Sequence, residues 1–255
     1  MRVALNCDMG EGFGRWDLGN DEELLDLITA ANIACGLHAG DPPRMASLVR
    51  LAAAKGVGVG AHPSYPDLQG FGRRYMDMTP AEVRDFVTYQ VGALQAFARS
   101  AGTRVEHVKA HGALYNRAAD DEATARAIVE GALNADPDLV IVVLAGSRFE
   151  QVARGMGARV ACEAFADRGY DARGRLVSRR DPGAILHDPE TVAQRVWTMI
   201  SEGRVRAVTG EWIPLKADTI CVHGDSPGAV DLLKALRASL LARGVDLVPI
   251  AQAIE

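Results

Sequence analysis

The sequence predicts an α/β protein built as an irregular seven-stranded β/α (TIM-like) barrel. Short apolar runs alternate with helical patterns along the chain, which indicates βαβ units and a parallel sheet. The apolar runs lack a regular alternation with polar residues, as expected of strands that are covered on both faces. The 255 residues are close to the usual barrel length and contain no linker, so residues 1–255 are expected to form a single domain. These patterns alone leave a doubly wound sheet open as the alternative.

Seven apolar runs predict the strands, and polar capping residues mark the helices between them. The strands are expected at residues 3–7, 33–37, 57–61, 105–109, 139–144, 160–163 and 219–223. Helices are expected at residues 22–31, from residue 41 onward, and at 79–100, 120–133, 147–154, 188–200 and 226–243. Asp41 before Pro42, and Thr79 with Glu82, are typical of helix starts. Residues 204–215 predict a small hairpin, and residues 245–249 a short strand or an extended tail.

Composition excludes several classes of protein. The net charge is −5 and no basic run stands out, which argues against a nucleic-acid partner. The apolar runs are too short to span a bilayer and no signal peptide precedes the first strand, so we expect no membrane association and a cytoplasmic location. The 4 cysteines form no CxxC pair, which favours reduced, partly buried thiols.

Polar and charged residues follow six of the seven predicted strands. In chain order they are Asn6, Asp8 and Glu11; His38 and Asp41; His62 and Asp67; Lys109 and His111; Glu163, Asp167 and Arg168; and His223 and Asp225. In parallel α/β folds the carboxyl ends of the strands build the active site. The sequence therefore predicts that these side chains converge on a single site.

The stretch around Lys109 is the centre of this prediction. If the fourth strand continues to His111, Lys109 and His111 share a face, which suits anion binding or proton transfer. Burying these two, or Asp8, His62 and Glu163, without partners would cost several kcal/mol each, so they should lie near one another or near a ligand. Other polar residues have plainer interpretations: Asp41 serves equally well as a helix cap, and His107 and His187 are expected to be structural.

The motifs for a metal or a nucleotide are weaker. Asp8, His38 and His62 could hold a divalent metal, but the sequence contains neither HxxxH nor HExxH spacing, which favours a site without one. It also lacks GxxxxGK[ST], so any nucleotide would be held in another way.

The strand-end motifs resemble those of the LamB/YcsF family. They are NCDMGEGFG at 6–14, NIACGLHAGDP at 32–42, GAHPSYPD at 60–67, GFGRR at 70–74, HGALYN at 111–116, EAFADR at 163–168 and CVHGD at 221–225. The resemblance runs in order along nearly the whole chain. The sequence departs from the family at Ala110, where Pro is usual, and at Leu37, where Phe is usual.

The resemblance implies a barrel related to the glycoside hydrolase/deacetylase fold and a role as the A subunit of a bacterial 5-oxoprolinase. Its activity would be hydrolysis of the lactam of 5-oxo-L-proline to L-glutamate. ATP, with Mg²⁺, would be the co-substrate, and the B and C subunits of 5-oxoprolinase would be the partners. Two alternatives stay open: a metal-dependent amidase or deacetylase that acts without ATP, and a non-catalytic protein that only binds substrate.

Residue roles follow as hypotheses. Catalysis is assigned to Asp8, His62, Lys109, His111 and Glu163, with Asp8 and Glu163 as general bases of raised pKa. Lys109, with Arg73 or Arg168, would hold anionic groups, and the histidines would pass protons or stabilise an oxyanion. Substrate binding is assigned to Asn6, Glu11, His38, Asp41, Arg73, Asp167, Arg168, His223 and Asp225.

Overall fold

The fold is a closed parallel barrel. A computed structural model describes residues 1–18, 20–178, 180–223 and 228–255. In chain order its strands are β1 (Arg2–Met9), β2 (Ala30–Ala34), β3 (Gly58–His62), β4 (Val105–Lys109), β5 (Val140–Leu144), β6 (Arg159–Phe165), β7 (Arg204–Arg206), β8 (Trp212–Pro214), β9 (Thr219–Cys221) and β10 (Asp246–Leu247). Within the described residues, β1 to β6 and β9 form the seven-stranded barrel, which closes because β9 pairs in parallel with both β6 and β1. This confirms the predicted fold class.

Helices cover the outside of the barrel. They are α1 (Asp21–Leu25), α2 (Pro42–Lys55), α3 (Pro80–Ser100), α4 (Gly112–Ala118), α5 (Glu122–Ala135), α6 (Arg148–Gly155), α7 (Pro189–Glu202), α8 (Ala229–Ala242) and α9 (Ile250–Ala253). The expected capping residues begin them: the Asp41 side chain accepts a hydrogen bond from the Arg44 N–H, and Thr79 forms a capping box with Glu82. In the described part of the chain, no helix combines the length and apolar character needed to cross a membrane.

Several element boundaries differ from the sequence prediction. The first helix is expected at residues 22–31 but ends at Leu25. The second strand begins at Ala30, where residues 30–34 are all buried and pair with β1 and β3. Helix α4 is absent from the sequence prediction, and it begins at Gly112 with φ +58. The hairpin of β7 and β8 is confirmed as an antiparallel pair, and β10 pairs with the start of β1. Residues 226 and 227 of the last predicted helix lie outside the described residues.

The barrel interior contains a ladder of polar side chains from successive strands. Asn6 Nδ2 donates to Thr219 Oγ1 at 2.8 Å, and Asn32 Nδ2 donates to Asn6 Oδ1 at 2.8 Å. His107 Nε2 lies 2.8 Å from Asn32 Oδ1 and donates to it, since an amide oxygen can only accept. These side chains are fully buried, so the hydrogen bonds offset the cost of removing them from water. His107 therefore has the structural role expected of it.

Gly60 on β3 makes room for this ladder. A Cβ atom at Gly60 would lie 2.0 Å from His107 Nε2, far inside van der Waals contact. The same nitrogen is bonded to Asn32, so the His107 ring cannot retreat without breaking that hydrogen bond. The ladder thus requires glycine at this position.

We expect Gly60→Ala to lower the free energy of unfolding by about 3 kcal/mol, since the methyl group would displace a buried, hydrogen-bonded ring. Urea unfolding followed by circular dichroism measures the change. Gly92→Ala in α3 is the matched control: a Cβ there has no neighbour within 4 Å, so the substitution should stabilise the protein by about 0.5–1 kcal/mol. Equal effects of the two substitutions would contradict the steric account.

Candidate active site

A cavity of about 620 Å³ opens at the carboxyl ends of the barrel strands. Its walls include Asp8 from β1, His62 from β3, Lys109 from β4 and Phe165 from β6, together with His223, which follows β9. The convergence of strand ends expected from the sequence is therefore present in the structure.

Lys109 lies at the bottom of this cavity, surrounded by acceptors. Its Nζ is 2.9 Å from Asp8 Oδ1 and 2.9 Å from Glu163 Oε1. The Asn6 side-chain oxygen lies 3.3 Å away and the Cys221 sulfur 3.1 Å away. The Lys109 side chain is only 2% exposed, so these groups replace water around its charge.

The ion pairs control the protonation of Lys109 and Asp8. Burial lowers the pKa of Lys109, but the nearby carboxylates outweigh it and hold this pKa well above its usual value. Burial raises the pKa of Asp8, but the adjacent His62 ring and the Lys109 charge outweigh it and hold this pKa well below its usual value. Asp8 is therefore ionised at neutral pH, and the expectation of a raised pKa is wrong for this residue.

Glu163 lies behind Lys109, away from the cavity. Its side chain is fully buried, and the Tyr115 hydroxyl donates to Glu163 Oε2 at 2.7 Å. Burial, followed by the Glu163 charge, raises the pKa of Tyr115 well above its usual value, so the phenol stays a donor. With both oxygens engaged by Lys109 and Tyr115, Glu163 serves to position the ammonium group.

A cluster of histidines with Glu11 lies beside the ion pairs. His62 Nε2 is 3.3 Å from Asp8 Oδ2 and 3.0 Å from His111 Nδ1. Glu11 Oε1 lies 3.1 Å from His111 Nδ1 and 3.5 Å from His38 Nε2. Burial lowers the pKa of His38 to about 3, so this ring is neutral. Burial raises the pKa of Glu11, but the neighbouring His111 and His38 rings outweigh it and hold this pKa below its usual value, so the carboxylate is ionised.

Arginines line the outer part of the cavity, as Arg73, Arg168, Arg175 and Arg180. Arg168 donates to the Val177 carbonyl at 2.7 Å, which orders the segment that follows β6. The Arg73 guanidinium lies 4.9 Å from the centre of the Phe71 ring. His223 Nδ1 is 3.0 Å from Asp167 Oδ1, and its ring stacks on Phe165 with centroids 5.4 Å apart. The mouth therefore carries these four arginines, of which Arg175 pairs with Asp120, above an acidic and histidine-rich floor.

Some expected site residues lie elsewhere. Those that line the cavity are Asp8, Glu11, His62, Arg73, Lys109, His111, Arg168 and His223. Asn6, His38, Glu163 and Asp167 are buried behind the cavity wall, where they orient the residues in front of them. Asp41 accepts from the Gly14 and Arg44 backbone N–H groups and serves as a cap. Asp225 lies outside the described residues.

Other residues of the site were not expected from the sequence. They are Asn32, which donates to Asp8 Oδ1 at 2.9 Å, and the cavity-lining Tyr75, Asn116, Arg175 and Arg180. Asn32 follows no predicted strand end, because the second strand begins earlier than its apolar pattern suggests. Arg175 and Arg180 belong to a long connection after β6. The periodicity of the sequence does not predict the path of this connection.

A β/α barrel with an acid, a lysine and histidines around one cavity at its strand ends has the architecture of a barrel enzyme. The chain belongs to the LamB/YcsF family, whose sequence profile matches residues 3–255.

Comparison with individual proteins agrees with this assignment. The A subunit of 5-oxoprolinase from Pyrococcus horikoshii is 54% identical over 254 residues, covering 100% of both chains. The crystal structure of the lactam utilization protein from Thermus thermophilus matches with a TM-score of 0.92 and 46% identity, covering 97% of this chain and 99% of that one. The Bc1960 peptidoglycan N-acetylglucosamine deacetylase shares the fold alone, with a TM-score of 0.51 and 13% identity over 99% of this chain and 87% of its own.

We expect Lys109→Met to lower the free energy of unfolding by about 3–5 kcal/mol, since it leaves the buried Glu163 and the partly buried Asp8 without their cation. Adding Glu163→Gln to this variant should recover at least about 1 kcal/mol, because one uncompensated charge is removed. Urea unfolding measures both changes. Lys234→Met is the control: its ion pair with Glu23 is exposed, so its loss should cost at most about 1 kcal/mol. A similar loss for the buried and the exposed lysine would contradict this interpretation.

Proposed function

We propose that this chain is the A subunit of an ATP-dependent 5-oxoprolinase, a hydrolase of a cyclic amide C–N bond. The overall reaction would convert 5-oxo-L-proline, water and ATP to L-glutamate, ADP and phosphate. The observation that carries the proposal is the meeting of Asp8, Lys109 and His111 at the floor of a cavity with an arginine-lined mouth. The similarity to relatives that are named as the A subunit of 5-oxoprolinase supports it.

The charge distribution suits a small anion that carries a lactam. The charge of Lys109 is balanced by Asp8 and Glu163. The arginines that line the mouth, Arg73 and Arg168 among them, would contact the substrate carboxylate or phosphate oxygens. This refines the sequence hypothesis, in which Lys109 itself held the anion. A carboxylate near Arg73 or Arg168 would leave the lactam ring directed at the floor of the cavity.

The floor can activate water at the lactam carbonyl. Asp8 is ionised and faces the cavity, so it can orient a water molecule and accept its proton. Asp8 can then return this proton to the ring nitrogen as the C–N bond breaks. Coupling to ATP would place a phosphoryl group on the lactam oxygen. Water would add to the phosphorylated carbon and the ring nitrogen would leave, which gives an acyl phosphate of glutamate. A second water molecule would attack that carbon, and the original lactam oxygen would depart with the phosphate.

Several parts of this proposal concern groups beyond the chain. ATP would enter with Mg²⁺ at the arginine-lined mouth, and the B and C subunits of 5-oxoprolinase would complete the active complex. The reaction would take place in the cytoplasm. ATP and the partner subunits are what the family resemblance implies, and the arginines at the mouth are compatible with a bound nucleotide. The cytoplasmic location is the expectation from the free, buried cysteines.

A metal-dependent amidase or deacetylase that acts without ATP is the second candidate. The observation in its favour is that Glu11, His38, His62 and His111 form a group of side chains able to ligate an ion. A protein that binds substrate and passes it to partners for the chemistry is a further outcome that the experiments below distinguish.

We expect Asp8→Asn to reduce kcat at least about 100-fold, since the amide can no longer accept the proton of water. Glutamate formation from 5-oxoproline and ATP, measured with the B and C subunits present, tests this. Tyr89→Phe, on the exposed face of α3, is the control and should retain full activity. Near-normal turnover by folded Asp8→Asn protein would assign the chemistry to other residues or to the B and C subunits.

The alternatives are separated by assaying the chain alone. The proposal predicts no glutamate formation without ATP or without the B and C subunits. Turnover by the isolated chain that ignores ATP and stops with a chelator would favour the metal-dependent amidase. Binding of 5-oxoproline, with turnover of the complex unaffected by substitutions at Asp8 and His111, would favour the non-catalytic binding protein.

A further inference from the structure

The hydrogen bonds of two histidines leave two lone pairs directed at each other. His62 Nδ1 lies 2.7 Å from the Lys109 carbonyl oxygen, and His111 Nε2 lies 2.9 Å from the Phe71 carbonyl oxygen. A carbonyl oxygen only accepts, so each of these ring nitrogens carries a hydrogen. In a neutral ring the other nitrogen is then an acceptor. The two acceptors, His62 Nε2 and His111 Nδ1, are 3.0 Å apart, where they repel each other unless a cation or a proton lies between them.

Two further acceptors point at the same place. Glu11 Oε1 lies 3.1 Å from His111 Nδ1 and 3.9 Å from His62 Nε2. His38 Nε2 lies 3.5 Å from Glu11 Oε1, and the His38 ring stacks on the His111 ring with centroids 4.0 Å apart. Among the described residues, Glu11 Oε1 and both ring nitrogens of His38 are buried without a hydrogen-bond partner. Unpartnered buried acceptors of this kind are costly unless a ligand completes them.

Four separations between these acceptors, at 3.0, 3.1, 3.5 and 3.9 Å, lie near those of a metal coordination sphere. Ligand atoms of Glu11, His38, His62 and His111 all lie within 4.8 Å of one another. Donors about 2.1 Å from a tetrahedral Zn²⁺ ion are roughly 3.4 Å apart. The hydrogen bonds from His62 and His111 to backbone carbonyls are the supporting contacts that fix ring orientation in metal sites. A single shared proton could serve one pair of these atoms at a time, whereas a divalent ion attracts them all.

We propose that Glu11, His38, His62 and His111 form a binding site for one divalent transition-metal ion, which faces the cavity floor beside Asp8. Imidazole and carboxylate ligands in this ratio suit ions such as Zn²⁺. Glu11, His62 and His111 line the cavity, whereas His38 is fully buried behind them, so a bound ion would have an accessible side. The sequence suggests Asp8, His38 and His62 as metal ligands. The proposed site keeps His38 and His62, and Glu11 and His111 take the place of Asp8.

Metal binding is tested directly on the full chain without an affinity tag. After dialysis against a chelator, titration calorimetry with Zn²⁺ should show one ion per chain, and the loaded protein should unfold at a higher temperature. Glu11→Gln and His38→Gln should each weaken binding at least about 10-fold, since loss of a supporting contact alone costs that much. His187→Gln, a substitution of an exposed histidine outside the cluster, should bind as the wild type does.

A second measurement does not depend on the variants being folded. The wild-type chain loaded with Co²⁺ should show visible ligand-field absorption bands, and an equivalent of Zn²⁺ should remove them. The proposal is overturned if the chelated wild-type chain binds neither ion stoichiometrically, which would leave a shared proton as the explanation of the short contacts. It is also overturned if binding is unchanged in folded Glu11→Gln and His38→Gln variants. Neither readout uses turnover, so the result is independent of the proposed reaction.

Discussion

The buried ammonium group of Lys109 is the interaction on which the rest of the site depends. It lies between the carboxylates of Asp8 and Glu163, which belong to two other strands of the barrel. An unpaired charge at this depth would cost several kcal/mol, so strands β1, β4 and β6 must bring these three side chains together for the barrel to be stable. The same ion pairs hold Asp8 in its ionised form at the cavity floor. Stability and the charge state of the site therefore have one cause.

The polar ladder extends this arrangement into the barrel. The side-chain nitrogen of Asn32 donates to both Asn6 and Asp8, at 2.8 and 2.9 Å. Each hydrogen bond thus fixes the position of the next side chain, from Thr219 on the strand that closes the barrel to the Asp8 carboxylate at the cavity floor. A barrel filled only with aliphatic side chains would pack as well but would leave Asp8 and Lys109 without oriented partners. The interior is therefore part of the site's supporting structure.

The sequence was most informative where strand ends carry charged residues. Asp8, His62, Lys109 and His111 could be placed together because parallel strands end at one face. Asn32 could not, because the second strand begins in an alanine-rich segment that also fits a helix. The burial of Glu163, the ionisation of Asp8 and the unpartnered acceptor of Glu11 depend on distances between strands, which a single sequence does not contain.

Closure of the barrel by β9 has a consequence for folding. The hydrogen bond from Asn6 to Thr219 joins residues 213 positions apart, and Cys221 of the same strand contacts Lys109. Contacts of such long range form late, because a large loop must be ordered before they exist. A nascent chain that has not yet added its last barrel strand lacks part of the environment of Lys109. The cavity floor is therefore incomplete until β9 is in place, so partly folded chains that lack this strand do not present a finished site.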